Sequence, residues 1–123
     1  MTDEMILEIP VDAAYAVTAR LFVATAAREM GLPDGTVEDL RLAASELVAN
    51  AVETSAPGPI RLTVLREGSD VILDVVGAGT ISDAAPISRR ALLETVFGAA
   101  NIVEDEGTRI HVSRRERSTA GEA

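Results

Sequence analysis

The sequence predicts an α/β two-layer sandwich, with helices on one face of a mixed, mostly antiparallel sheet. Three observations predict it. Two consecutive stretches carry apolar residues at helical spacing, and two later pairs of alternating apolar runs are each joined by a glycine-bearing turn. The chain has 123 residues, 47% of them hydrophobic, which suffices for one compact core.

Met5, Leu7 and Ile9 alternate with Ile6 and Glu8, and Pro10 closes the run, as expected of a strand at a sheet edge. Asp12 then precedes an alanine-rich helix over residues 13–30, where Val17, Leu21, Ala24 and Arg28 fall at helical spacing before Gly31 and Pro33 stop it. Thr36 or Asp34 caps a second helix running to about Thr54. Its apolar stripe is Leu40, Ala43, Ala44, Leu47, Val48 and Ala51, and the turn-forming Ser55-Ala56-Pro57-Gly58-Pro59 follows.

Ile60, Leu62 and Val64 alternate with Arg61, Thr63 and Leu65. Glu67-Gly68-Ser69-Asp70 turns the chain into a second strand over residues 71–76, completing a hairpin. Gly77-Ala78-Gly79-Thr80 breaks that strand, and residues 81–90, with Pro86, read as a loop. A short helix over residues 91–100 leads to a second hairpin turning at Asp105-Glu106-Gly107, with Ile110 and Val112 facing the core. The order is β-α-α-β-β-α-β-β. Residues 4–115 form one domain, and residues 116–123 are a small-residue polar tail with no reason to pack.

Composition narrows function. A net charge of -9 argues against direct contact with nucleic-acid phosphates, which requires a basic face. The lack of cysteine removes disulfides and thiolate metal sites, and His111 alone cannot assemble a zinc centre. The first residues are acidic rather than basic-then-apolar, and no apolar run reaches the ~20 residues of a membrane span. A cytoplasmic protein with a protein partner or a small ligand is expected.

Glu46 and Asn50 lie four residues apart on the second helix, so their side chains share one face and can meet one ligand. As an isolated pair they also fit the solvated side of an amphipathic helix. Downstream, the strand ending at Val76 opens into a G-x-G at Gly77 and Gly79.

With these features in place, the chain resembles the GHKL (Bergerat-fold) ATPases, and among them the bacterial anti-sigma factors of the serine-protein kinase type. The string LRLAASELVANAVE looks like that family's first motif. The resemblance implies that Glu46 is the general base and that Asn50 holds Mg²⁺ and phosphate oxygens, both converging on one γ-phosphate from one helical surface. In the second motif, D-x-G-x-G, Gly77 and Gly79 match, but Val75 stands where the family has its adenine-reading Asp. Asp74 sits one residue early, on the opposite face of the strand. The third motif is a glycine-rich lid, and its counterpart, Ile87-Ser88-Arg89-Arg90-Ala91-Leu92-Leu93, contains no glycine. Arg89 and Arg90 there read either as phosphate attractors or as an ordinary charged loop.

The resemblance further implies ATP and Mg²⁺ as cofactors, a homodimer, and a sigma factor and/or an anti-sigma factor antagonist as partner. The altered second and third motifs predict impaired or lost ATP binding, hence a regulator that acts by protein binding. The retained Glu46 and Asn50 keep open an active serine-protein kinase that phosphorylates an antagonist. Either reading expects Glu46, Asn50 and Gly77 to line one pocket between the second helix and the strand ending at Val76, with Val75 as an apolar floor.

Overall fold

The computed structural model describes residues 3–81 and 88–113. Strand β1 (Glu4–Ile9) passes through a 3-10 turn to helices α1 (Ala16–Glu29) and α2 (Asp34–Glu53). The hairpin β2 (Ile60–Glu67) and β3 (Asp70–Val76), helix α3 (Arg89–Phe97) and the hairpin β4 (Ile102–Glu104) and β5 (Gly107–Ser113) complete the domain. Most of the expected loop, residues 82–87, and the expected tail, residues 116–123, lie outside the described residues.

The strands form one sheet of order β1-β2-β3-β5-β4, with β1 at an edge as its Pro10 stop implies. All pairings among the described residues are antiparallel, so the expected mixed component is absent. The reason lies in the second hairpin. Strand β4 runs parallel to β3, but its return strand β5 inserts between them and pairs with β3 itself. No parallel neighbours remain among the described strands.

Alternation along the strands sends one set of side chains under the helices. Leu73 lies at the centre of this face, with Val64 and Ile110 as cross-strand neighbours, all fully buried. Helix α2 lays Val37, Leu40, Ala44, Leu47 and Ala51 on the sheet at i, i+3, i+7, i+10 and i+14 spacing, each inaccessible to solvent. Each large aliphatic side chain so buried contributes about 1.5–3 kcal/mol. Both α2 and α1 are rich in alanine, which lets them pack closely, and Arg20 Nη1 donates to Ser45 Oγ at 3.2 Å between them.

Two local expectations need correction. Helix α2 begins at Asp34 after Pro33, whose φ of -69° suits a helix start, and no side chain caps it. Thr36 therefore sits buried in the first turn rather than at the cap. On α1 the apolar spacing of Val17 and Leu21 marks the outer face, where they are 52% and 59% exposed, and Arg28 is exposed as well. The core side is Ala19, Val23, Ala26, Ala27 and Met30, with Ala24 also buried. In so alanine-rich a helix two faces carry similar apolar content, and contact with the sheet decides between them.

Leu73→Ala should cost about 2–5 kcal/mol through lost burial and a residual cavity. Leu21→Ser, on the outer face of α1, should change monomer stability by less than about 0.5 kcal/mol. Urea unfolding followed by circular dichroism distinguishes the two.

Candidate functional site

The last two turns of α2 carry Glu46, Asn50 and Glu53 at i, i+4 and i+7, hence on one face. Asn50 has no solvent exposure. A buried side-chain amide must find its partners inside the protein. Its Nδ2 donates to the carbonyl oxygens of Ala78 and Thr80, at 2.9 Å each. Asn50 is therefore not on a solvated helix face.

The segment it holds depends on two glycines. Gly77 has φ of +92°, and a Cβ there would run into the Pro59 carbonyl. Gly79 has φ of +82°, and a Cβ there would lie 2.6 Å from Thr54 Oγ1. Thr54, just beyond α2, donates its hydroxyl to the Asn50 carbonyl at 2.8 Å. The G-x-G thus permits a close approach, but to the end of α2 and the start of β2.

The other side of Asn50 meets Arg89, the first residue of α3, which Ser88 caps by accepting a hydrogen bond from the Ala91 amide at 3.1 Å. Arg89 Nε donates to Glu46 Oε1 at 2.9 Å, and Nη1 donates to Asn50 Oδ1 at 3.2 Å. A two-pronged pair with Glu53 completes the set, Nη1 to Oε1 at 3.0 Å and Nη2 to Oε2 at 3.2 Å. The Arg89 side chain is only 13% exposed. Hydrogen bonding to Glu53 raises its pKa above the ordinary arginine value; burial opposes this and the hydrogen bond to Glu46 adds to it. Arg89 reciprocally lowers the pKa of the exposed Glu53 carboxyl, by hydrogen bonding first and by its charge second.

Arg90 turns to the sheet, where its Nη2 donates to Glu104 Oε1 at 2.6 Å, and Glu104 Oε2 accepts the Ile81 amide at 2.8 Å. Both flanks of residues 82–87 are consequently fastened. Asn50 holds Ala78, Thr80 and Arg89, while Glu104 holds Ile81 and Arg90.

Val75 lies on the helix-facing side of β3 and is 1% exposed within the hydrophobic core. Asp74 points to the other face, 3.7 Å from Arg109. A cleft of about 440 Å³ beside the glycines is lined by Pro57, Gly77, Ala78, Gly79, Thr80, Glu104, Asp105, Glu106 and Gly107. Glu46, Asn50 and Val75 do not line it. Asn50 joins the glycine segment to α2, and Arg89 covers the face that Glu46 and Asn50 share, so among the described residues this pair stands apart from that cleft.

These residues, as arranged, do not fit Mg²⁺ and a triphosphate. The acceptor atoms that would hold the metal already serve a guanidinium, the Asn50 amide nitrogen is committed to backbone, and the neighbouring cleft presents three acidic residues. No group of three or more His, Asp or Glu side chains suited to a metal ion occurs among the described residues.

Sequence reasoning missed Glu53 and Glu104 as members of this constellation and placed Arg89 and Arg90 in a loop, whereas they open α3. The i+7 position of Glu53 was a readable signal. The pairing of Arg89 with Glu46, 43 residues away, was not.

An antiparallel sheet with helices on one face and an acid–amide pair on the second helix, opposite a G-x-G strand end, defines an ATPase-type sandwich. A model of the family described as the histidine kinase-like ATPase domain matches residues 9–119, and the chain belongs to that family. Binding of ATP and Mg²⁺ is a property of the family in general. No match is found among curated proteins. Among the described residues, no helix is long and apolar enough to cross a membrane.

Asn50→Ala should cost about 1–3 kcal/mol, because it takes the side-chain donor from the buried Ala78 carbonyl and from the part-buried Thr80 carbonyl, and hydrogen exchange should accelerate around Ala78–Ile81. Glu53 has its pKa lowered in the folded state, so its stabilising contribution is complete above the ordinary glutamate value of 4.5 and is lost as pH falls through the folded value. The stability difference between the unmodified protein and Glu53→Gln, from urea unfolding at several pH values, should be present at neutral pH and close at low pH.

Proposed function

We propose that this chain is an anti-sigma-like regulator in bacterial transcription control that acts by binding a protein partner, with ATP binding impaired or lost. The observation that carries this reading is the engagement of both first-motif residues by Arg89, at 2.9 Å on Glu46 and 3.2 Å on Asn50. The guanidinium engages one oxygen of the Glu46 carboxylate on the face where a substrate proton would arrive. Further support comes from Val75, which offers no hydrogen bond to an adenine edge, and from the acidic cleft beside the glycines, which repels polyphosphate.

On this reading the partner is a sigma factor and/or an anti-sigma factor antagonist, the protein works as a homodimer in the cytoplasm, and DNA contacts are left to the partner. The net charge of -9 fits that division of labour. One observation favours the alternative of an active serine-protein kinase: Glu46 and Asn50 keep the family's spacing on one helical face.

Calorimetry decides between them. With Mg²⁺ present, ATP and ADP should give no saturable heat, and a complex with the cognate sigma factor or antagonist should form without nucleotide. Micromolar ATP binding, with transfer of labelled phosphate to a Ser or Thr of the antagonist that Glu46→Ala abolishes, would sink the proposal and establish the kinase.

A further inference from the structure

We infer that Arg89 is an autoinhibitory occupant of the acid–amide site: its guanidinium fills the cation position between Glu46, Asn50 and Glu53, and the site opens only when the start of α3 withdraws. This rests on the reading of the site as closed to ATP and adds that the closure is reversible.

Four acceptor atoms converge on the one guanidinium: Glu46 Oε1, Asn50 Oδ1 and both carboxylate oxygens of Glu53, all within 3.2 Å of a donor nitrogen. A divalent cation would need these same oxygens, since hard cations take carboxylate and amide oxygen ligands. Arginine does not deprotonate at physiological pH, so it excludes a second cation by charge as well as by volume. Val75 is a buried core residue and is not one of the four acceptors.

The occupant is also removable. Glu46, Asn50 and Glu53 belong to α2, whose apolar stripe is deeply buried, whereas Arg89 belongs to a nine-residue helix with Leu93 as its fully buried residue. An element with so little buried apolar surface opens at lower cost than the core. Arg89 can therefore move with the start of α3 while the three acceptors keep their places on α2.

The test uses Mn²⁺ and the full chain, with free Mn²⁺ followed by electron paramagnetic resonance. The unmodified protein should bind no Mn²⁺ in the low millimolar range. Arg89→Met, which keeps much of the aliphatic stem, should bind one Mn²⁺ at least about tenfold more tightly, because a site closed more than nine-tenths of the time loses that factor in apparent affinity. Adding Glu46→Gln should abolish the gain, and Arg90→Met, which removes the Glu104 contact and leaves Arg89 in place, should not produce it. A folded Arg89→Met protein that binds Mn²⁺ no better than the unmodified chain would overturn the inference. If that variant does not fold, Glu53→Gln serves instead: hydrogen exchange at Ala91 and Leu92 should rise severalfold, and unchanged exchange would overturn the inference. ATP binding by the unmodified chain would overturn the proposed function instead, so the two failures are distinguishable.

Discussion

A side-chain amide without solvent contact has to satisfy its polar atoms internally, and in this domain that requirement falls on Asn50. Its donors take two carbonyls of the glycine segment and its oxygen takes a guanidinium proton. One residue thereby joins the end of α2 to the exit of β3 and to the start of α3. Weakening these attachments inside the protein costs more than the net worth of an exposed hydrogen bond, because no water reaches Asn50 to replace them. The close seating of Gly77 against Pro59 and of Gly79 against Thr54 follows from that attachment, and only glycine has the backbone freedom for it.

Charge is organised around the same junction. The chain carries 20 acidic and 11 basic residues, so its arginines are outnumbered, and among the described residues the two at the start of α3 face three acids between them. Arg89 is held mostly out of water, where its pairing is less screened than the exposed Arg61–Glu8 contact on the far strands. Because breaking a partly buried pair strands the remaining charge, such contacts define position more reliably than they add stability. They set where α3 begins and where residues 81 and 88–90 attach.

In this site the family's acid–amide pair is engaged by a guanidinium. A carboxylate and an amide on one helical face suit any hydrogen-bonding cation, whether a metal bearing phosphate or a guanidinium on a neighbouring helix. The spacing constrains the helix face and leaves the occupant open. What stands opposite is decided by α3, whose first residue is Arg89.

Sequence alone determined the parts of this protein governed by local periodicity. The apolar stripe of α2, the two hairpins, the edge placement of β1 and the Glu46/Asn50 pair were legible because helix and strand repeats are properties of neighbouring residues. The opposite facing of Val75 and Asp74 was legible for the same reason. Tertiary structure decided the rest: which face of α1 is buried, the insertion of β5 between β3 and β4, and the meeting of Arg89 with acceptors 36 to 43 residues away. Those outcomes depend on how whole elements pack and on which charge another element delivers, and no repeat in the chain encodes either.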